Sequence, residues 1–163
     1  MIRTYLDDDA ATAALGAALA RVLAPGLRIY LHGDLGSGKT ALTRALLQSA
    51  GHDGPVRSPT YTLAEPYVIT INGKPVEAIH FDLYRMSDPE EFIDAGFRDH
   101  FNDRTICIME WPEKAEGLLP PPDIDVFLAI EGEGRTVELL AISAKGRQCL
   151  DRMNFPSHPI PRL

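Results

Sequence analysis

Apolar and polar positions along the chain form blocks that predict helices and strands in alternation. Residues 8–24 begin with aspartates and space their apolar side chains three and four positions apart, which predicts a helix that ends at Pro25 and Gly26. The apolar run 27–31 predicts a short strand, and residues 39–50 have helical spacing, with a glycine-rich stretch between the two. The first third of the chain therefore has the order helix, strand, glycine-rich loop, helix.

The middle of the chain favours β-structure around one tight turn. Residues 61–71 and 75–83 flank an Asn-Gly dipeptide, which tolerates the positive φ angles of a hairpin turn, so we expect an antiparallel hairpin. Residues 88–101 begin with acidic residues and predict a helix. The continuous apolar run 105–109 is typical of a strand that is covered on both faces.

The last third of the chain predicts two further strands and a terminal helix. Residues 124–130 and 136–142 are β-like runs joined by a glycine-containing turn. A short helix is expected near 145–153, followed by a frayed tail that contains prolines. Together these elements predict an α/β fold with a mixed central sheet that includes an antiparallel hairpin.

Composition and length indicate one ordinary globular domain. The chain has 163 residues, 45% hydrophobic and 24% charged, which is sufficient to bury a core. We expect a single domain over 1–163, with its core at about 8–145 and a short helix and tail at 146–163. No uncharged apolar stretch reaches the roughly 18 residues of a membrane span. Aspartates occupy positions 7–9, where a signal peptide would be basic, so we expect a cytoplasmic protein without membrane contact.

Net charge limits the class of partner. The formal charge of −7 has the wrong sign for a domain that binds a nucleic-acid backbone unaided. Any contact with RNA is therefore expected to run through a protein partner. Cys107 lies in an apolar run and Cys149 near the C-terminus, and both are interpreted as reduced packing residues.

A phosphate-binding motif lies between the first predicted strand and the helix that follows it. Residues 33–40 read GDLGSGKT and fit G-x-x-x-x-G-K-[ST]. Such glycines let backbone N–H groups turn inward around phosphates, at the positive end of the next helix. Lys39 is expected to contact the β- and γ-phosphates and Thr40 to bind Mg²⁺, whereas a flexible surface loop is the alternative. The candidate nucleotide-binding residues here are Gly33, Asp34, Leu35, Gly36, Ser37, Gly38, Lys39 and Thr40.

A carboxylate follows the apolar strand at 106–109. Glu110 stands where a buried strand of a P-loop protein carries the acid that holds the metal, with Glu in place of the usual Asp. We expect Thr40 and Glu110 to be the metal-binding pair. A solvated strand end is the alternative for Glu110 taken alone.

Polar side chains alternate with apolar ones just before this strand. The alternation places His80, Asp82 and Tyr84 on one face. In an ATPase, Asp82 would orient the attacking water or bind a metal-coordinated water. His80 and Tyr84 would support it by hydrogen bonds, and Arg85 would neutralise charge. The alternative is the solvent side of a hairpin.

Two further features lie near these motifs. Ser58, Pro59 and Thr60 occupy a loop where related nucleotide-binding proteins place a segment that senses the γ-phosphate, although an ordinary turn uses the same residue types. Trp111 is expected either to stack near the nucleotide or to cap the core. The other histidines show no metal-ligand spacing and are interpreted as structural or solvated, namely His32, His52, His100 and His158.

Four motifs in this order resemble the TsaE family, also known as YjeE. They are GDLGSGKT at 33–40, SPTYTL at 58–63, HFDLYR at 80–85 and EWPE at 110–113. The resemblance, which spans about residues 8–145, implies a three-layer α/β sandwich of the P-loop NTPase type. It also implies Mg²⁺-dependent ATP hydrolysis that is slow without partners and is required for threonylcarbamoyladenosine modification of tRNA.

The same resemblance implies partners and residue roles. TsaB and TsaD are the implied partners, with TsaD as the transferase, an ATP cycle that resets the complex, and tRNA met only through that complex. Phosphate binding falls on 33–40, Mg²⁺ on Thr40 and Glu110, and hydrolysis on Asp82 with Lys39. The loop with Ser58, Pro59 and Thr60 becomes switch-like. The family pattern also places Trp111 near the nucleotide and Thr12 at the base end of the ATP site.

Three other functions fit parts of the pattern. A small-molecule or nucleotide kinase shares the motif and the size, but needs an acceptor pocket and usually an arginine-bearing lid, and no clear lid segment is found around Arg98 or Arg104. A GTP-dependent switch would carry N-K-x-D, which the chain lacks. A binding module that never hydrolyses differs only in how water and carboxylate are placed, which residue order does not report.

Overall fold

The computed structural model describes residues 1–59 and 61–155. The strands in these ranges are β1 Ile2–Leu6, β2 Arg28–His32, β3 Ala64–Ile71, β4 Lys74–Asp82, β5 Ile106–Glu110, β6 Ile124–Glu131 and β7 Gly134–Ala141. The α-helices are α1 Asp9–Ala20, α2 Lys39–Ser49, α3 Glu90–Asp94 and α4 Ala144–Asp151. Two 3₁₀ helices, Phe97–His100 and Pro112–Ala115, complete the described elements.

All seven strands join one mixed sheet in the order β1-β7-β6-β2-β5-β4-β3. The four central strands β6, β2, β5 and β4 are parallel, and β3 and β7 pair antiparallel with β4 and β6. The β3–β4 turn places Asn72 at φ 52° and Gly73 at φ 77°, as the dipeptide predicts. The expected α/β fold with a mixed sheet and an antiparallel hairpin is confirmed.

The two faces of the sheet are covered differently. On one face, α1, α2 and α4 supply leucines such as Leu15, Leu46 and Leu150 to a large aliphatic core. On the other face, α3 and the 3₁₀ helices pack a smaller cluster rich in aromatic rings, including Phe81 and Phe92. Every residue of β5 is buried, as its continuous apolar run predicts. The result is the three-layer arrangement expected of a P-loop protein.

Some sequence expectations about elements differ from the structure. The helix expected at 8–24 ends earlier, at Ala20, and the strand expected at 61–71 begins at Ala64. The helix expected at 88–101 is wrong as one element, because Gly96 adopts a left-handed conformation at φ 74° and separates α3 from the 3₁₀ helix that follows. The strand β1 was not expected at all. It pairs antiparallel with β7 through five residues, from the Ile2–Leu139 pair to the Leu6–Arg135 pair.

Two other expectations concern the interior and the membrane. Cys107 and Cys149 are free buried thiols, as expected for packing residues. In the described parts of the chain, no helix has both the length and the apolar character needed to cross a bilayer. The helix expected near 145–153 is α4, Ala144–Asp151, whereas the tail expected beyond residue 155 lies outside the described residues.

Candidate nucleotide-binding site

The glycine-rich loop connects the carboxyl end of β2 to the N-terminus of α2. Gly33 has a φ of 153°, and a Cβ there would lie 2.5 Å from both the Leu128 carbonyl oxygen and Ser37 Oγ, so no larger residue fits. Gly38 precedes α2 with a φ of 103°, and no side chain caps the helix. Because the first N–H groups of a helix lack internal partners, the loop presents uncapped donors to the cleft.

Lys39 lies inside this loop, only 5% exposed. Its Nζ donates to the carbonyl oxygen of Gly33 and, at 3.2 Å, to that of Asp34. The Trp111 ring lies over the ammonium, with its centroid 4.0 Å from Nζ. Burial lowers the pKa of Lys39, and the charge of Glu110 opposes that shift. The ammonium is thus held at the loop by carbonyl groups that a phosphate could replace.

Glu110 is the centre of a buried hydrogen-bond network. It is 2% exposed at the carboxyl end of β5. The Thr40 hydroxyl donates to its carboxylate at 3.0 and 3.1 Å, and His80 Nε2 donates to its Oε2 at 2.7 Å. Glu110 is therefore not a solvated strand end. His80 is fully buried, so the solvent-facing alternative is wrong for His80, whereas Tyr84 on the same predicted face is exposed. The partner of His80 is Glu110 rather than Asp82.

Asp82 lies beside this network, since parallel pairing of β4 and β5 places it opposite Glu110. Burial raises the pKa of Asp82, and the charge of Glu110 raises it further. Its Oδ1 accepts the backbone N–H of Tyr84 at 3.1 Å, and the Ser58 side chain also hydrogen-bonds to it. The carboxylate is thus oriented and is a weaker acid than an exposed aspartate.

The loop at 57–59 reaches the site through Ser58. Ser58 Oγ lies 2.9 Å from Thr40 Oγ1, within hydrogen-bond distance. Pro59 is buried and lines a neighbouring cavity instead. Thr60 lies outside the described residues. Of the switch-like segment, the structure therefore brings Ser58 to Thr40 and Asp82.

Trp111 packs on the core and also lines the cleft, and its place near a nucleotide stays a prediction. It adopts a left-handed backbone at φ 60°, which is uncommon for a bulky residue. Its ring packs against the aromatic cluster of the sheet and lies 5.1 Å from the Tyr84 ring, while also lining the cleft above Lys39. The conformation turns the indole away from the strand direction and over the phosphate loop.

One cleft of about 370 Å³ joins most of these side chains. Its lining comprises Asp9, Asp34, Leu35, Gly36, Ser37, Gly38, Lys39, Thr40, Ala41, Ser58, Asp82, Tyr84, Glu110, Trp111 and Arg135. Gly33 and Thr12 are not part of this lining. Thr12 lines an adjacent cavity between α1 and α2, which shares Asp9 and Ala41 with the cleft.

Arg135 is a cleft residue that the sequence analysis missed. Its Nη2 donates to the Gly36 carbonyl oxygen at 3.0 Å across 99 positions of the chain. Arg85, which is expected from the sequence to neutralise charge, is exposed and does not line the cleft. No local motif marks Arg135, because its position depends on the pairing of β7 with β6 and β1.

The oxygen donors at this site suit Mg²⁺. Thr40 Oγ1 and the Glu110 carboxylate are hard ligands in mutual contact, and Mg²⁺ typically takes only one or two protein ligands beside phosphates and waters. Within residues 1–59 and 61–155, no group of three or more His, Cys, Asp or Glu side chains can hold a metal. Thr40 and Glu110 therefore fit a Mg²⁺ that phosphate and water oxygens would help to hold.

Known proteins resemble this chain over most of its length. A family model described as "Threonylcarbamoyl adenosine biosynthesis protein TsaE" matches residues 6–137. The tRNA threonylcarbamoyladenosine biosynthesis protein TsaE of Haemophilus influenzae is 44% identical over 151 residues, covering 90% of this chain and 93% of that protein. The Bacillus subtilis protein of the same name is 33% identical over 127 residues, covering 78% of this chain and 75% of the relative.

A solved structure has the same fold. The crystal structure of Bacillus subtilis YdiB aligns with a TM-score of 0.73 at 22% sequence identity, covering 92% of this chain and 91% of that one. At this identity the likeness speaks for the fold alone. The family match, the relatives and the cleft agree with the four motifs, and the chain belongs to the TsaE family of threonylcarbamoyladenosine biosynthesis proteins.

Proposed function

We propose that this protein binds and hydrolyses ATP with Mg²⁺ and acts with TsaB and TsaD in threonylcarbamoyladenosine modification of tRNA, without being the transferase. The observation that carries the proposal is the Thr40–Glu110 contact at the end of the phosphate loop. A hydroxyl held by a buried carboxylate beside an uncapped helix N-terminus is what a metal-bound polyphosphate requires.

The geometry of the loop supports phosphate binding. No side chain caps the start of α2, whose first residues line the cleft, and the Lys39 ammonium lies on loop carbonyls. An incoming phosphate offers Lys39 charged acceptors, which form stronger hydrogen bonds than neutral carbonyls do. We therefore expect the Lys39 ammonium to exchange the Gly33 and Asp34 carbonyls for phosphate oxygens when nucleotide binds.

Hydrolysis needs a group that orients water beside the phosphates. Asp82 is suited to this role because its carboxylate lines the cleft, is oriented by Tyr84 and Ser58, and has a raised pKa that makes it a better proton acceptor. When bound, Mg²⁺ would neutralise phosphate charge at Thr40 and Glu110. Ser58 contacts Thr40 and Asp82, so the loop that carries it is placed to respond to the bound nucleotide.

The adjacent cavity supports a place for the base. It has a volume of about 500 Å³, is lined by Thr12, Arg44 and Gln48 among others, and opens beside the α2 end of the loop. Asp9 and Ala41 line both spaces, so a nucleotide with its phosphates on 33–40 could extend its base toward Thr12. The role of Thr12 at the base end is part of this proposal.

The partner proposal rests on family membership and charge. The net charge of −7 disfavours direct binding of a tRNA backbone, so contact through proteins is the simpler arrangement. The family acts in threonylcarbamoyladenosine biosynthesis. TsaB and TsaD are the partners that the resemblance implies.

The first test measures ATP binding and release of free phosphate. Wild-type protein is expected to bind ATP more tightly than GTP and to hydrolyse it slowly with MgCl₂. Lys39→Ala is expected to weaken ATP binding by about tenfold or more, since a charge-assisted contact contributes roughly 1.5–3 kcal/mol. Lys74→Ala, an exposed lysine of the β3–β4 hairpin, is the matched control.

The outcomes separate this function from its rivals. Phosphate found on a nucleoside or metabolite instead of free in solution would indicate a kinase. Tighter binding of GTP than ATP would indicate a GTP switch, and ATP binding without any turnover in the presence of both partners would indicate a binding module. Undiminished ATP binding by Lys39→Ala would contradict the proposed phosphate site.

The second test adds purified TsaB and TsaD. The protein is expected to co-elute with the pair and to turn over ATP at a changed rate. Absence of both effects would remove the partner proposal while leaving the ATPase proposal intact.

A further inference from the structure

Arg135 is a cation of the cleft that none of the four motifs includes. Its guanidinium donates to two backbone carbonyl oxygens, that of Gly134 at 2.9 Å and that of Gly36 at 3.0 Å. Gly36 lies near the tip of the phosphate loop, between Gly33 and the start of α2. Arg135 therefore contacts a phosphate loop that lies 99 positions earlier in the chain.

The backbone that carries Arg135 is fixed on both sides. Arg135 lies opposite Ile130 of β6 and Leu6 of β1. A Cβ at Gly134 would lie 2.4 Å from both the Leu6 carbonyl oxygen and the Tyr5 hydroxyl, so β1 packs directly on this residue. The Tyr5 hydroxyl also donates to the Glu131 carbonyl oxygen at 2.9 Å, which holds the turn between β6 and β7. The backbone that carries the guanidinium is thus held in place by β1 and β6.

The guanidinium keeps donors for a ligand. Arginine has five N–H donors, and the contacts to Gly134 and Gly36 occupy two of them. Throughout residues 1–59 and 61–155, no carboxylate forms an ion pair with Arg135. An arginine in a cleft, with donors unused and no acidic partner, is suited to an anion.

The charge of the cleft creates a need for such a cation. Four carboxylates line it, those of Asp9, Asp34, Asp82 and Glu110, against the ammonium of Lys39 and the guanidinium of Arg135. A triphosphate adds about four negative charges, of which Lys39 and a divalent cation offset three. Arg135 is the second side-chain cation among the described lining residues.

We propose that Arg135 is a second phosphate-contacting residue, held over the phosphate loop by the Gly36 carbonyl and presenting its remaining N–H donors to the nucleotide. The proposal rests on the proposed function, because it presumes that the cleft binds ATP. It adds a residue to the phosphate site and gives β1 a role, which is to support the strand that delivers the guanidinium.

The test compares Arg135→Gln with Arg135→Lys in ATP titrations. Gln loses the charge and is two bonds shorter than Arg, whereas Lys keeps the charge at a similar length. At about 0.05 M KCl, Arg135→Gln is expected to raise the Kd of ATP about tenfold or more and Arg135→Lys about threefold or less. At about 1 M KCl the difference between wild type and Arg135→Gln is expected to shrink, because salt screens a charge contact.

Arg3→Gln is the matched control, since Arg3 lies on β1 and pairs with Glu138 of β7 outside the cleft. It is expected to leave the Kd of ATP within about twofold of wild type. Thermal unfolding without nucleotide checks that each variant is folded. Where Arg135→Gln unfolds, Arg135→Met, which also removes the charge, replaces it in the same comparison.

Three results would overturn the proposal. ATP affinity of Arg135→Gln equal to wild type would remove the contact. Equal weakening in Gln and Lys variants, independent of salt, would show that Arg135 only braces the loop through Gly36. Wild type and Arg135→Lys with the same salt dependence as Arg135→Gln would exclude a charge contact. Failure of wild type itself to bind ATP would instead overturn the proposed function.

Discussion

Two buried carboxylates lie at opposite ends of the parallel strands and have opposite surroundings. Asp123 precedes β6, and its two oxygens accept the Arg28 N–H at 2.8 Å and the Ser143 hydroxyl at 2.6 Å. Ser143 also caps α4 by accepting the Gly146 N–H at 3.0 Å. Glu110 ends β5, and its side-chain contacts are with side chains of two other elements.

The hydrogen bonds of Asp123 join elements of the fold, whereas the surroundings of Glu110 include polar atoms to which a ligand could bond. Asp123 joins a strand start to a helix start, because it binds the backbone N–H of Arg28 and the hydroxyl that caps α4. Around Glu110, Ser37 Oγ and His80 Nδ1 are buried without a partner in the described parts of the chain, and Lys39 is bonded to carbonyls of its own loop. The third such atom in these ranges is Arg28 Nε, on the residue whose backbone N–H binds Asp123. Buried polar atoms without partners cost stability, so the two around Glu110 are candidates for hydrogen bonds to a ligand.

Glu110→Gln is the strongest test of this comparison. The amide keeps the size of the side chain and a partner for Thr40, but it loses the charge at the proposed metal site. We expect ATP turnover with MgCl₂ to fall about 100-fold or more, since metal stabilisation contributes several kcal/mol. Steady-state phosphate release measures this, and thermal unfolding is expected to change little. Normal turnover would place Glu110 with Asp123 as a structural acid.

Asp123→Ala is the reciprocal change at the other end of the sheet. It leaves the Arg28 N–H and the Ser143 hydroxyl, which orients the cap of α4, without their acceptor, so we expect the free energy of unfolding to fall by about 2–4 kcal/mol. Urea titration measures this. Asp123→Asn, which keeps one oxygen, is expected to lose less. A change in turnover per folded molecule greater than about twofold would contradict a purely structural role for Asp123.

His80→Leu tests how Glu110 is oriented. Loss of the 2.7 Å contact leaves Thr40 as the remaining donor to Glu110 Oε2, so the carboxylate is less firmly oriented. We therefore expect the Mg²⁺ concentration for half-maximal turnover to rise about tenfold. ATP binding without Mg²⁺ is expected to stay within about twofold of wild type. His80→Gln, which offers an amide donor, is expected to recover part of the loss. Equal effects with and without Mg²⁺ would indicate a packing role instead.

Cys107 offers the smallest expected effect, at the other end of the strand that carries Glu110. Burial raises the pKa of its thiol to about 12, and burial also raises the pKa of Cys149. A raised thiol pKa disfavours the reactive thiolate at every pH below it, so alkylation is expected to stay slow from pH 7 to 9. Mass spectrometry after iodoacetamide treatment measures this, with urea-unfolded protein as the positive control. A labelling rate that changes with ATP would show that the two ends of β5, at Cys107 and at Glu110, are coupled.

Turns that need a positive φ and a strand that is fully buried could be predicted from the sequence. The phosphate loop needs glycines where φ is positive, and the β3–β4 turn needs a residue pair such as Asn72 and Gly73 for the same reason. The burial of β5 was readable because an uninterrupted apolar run leaves no face for water. The motif spacing also identified Thr40, Asp82 and Glu110 as neighbours.

Contacts that depend on strand pairing could not be predicted from the sequence. Residues 2–6 contain Arg3 and Thr4 between apolar positions and are stabilised by pairing with β7, more than 120 residues away. The His80–Glu110 contact depends on the parallel register of β4 and β5, and the Arg135 contact on three strands together. Gly96 was a signal that the expected helix at 88–101 overlooked, since glycine permits the left-handed turn that ends α3.

The indole of Trp111, centred 4.0 Å from the Lys39 ammonium, is the chain's one tryptophan. Its emission therefore comes from a single location, beside a cation that polyphosphate would draw away. Nucleotide bound as proposed would change the surroundings of this one indole, so tryptophan emission would report binding in real time with no dye attached.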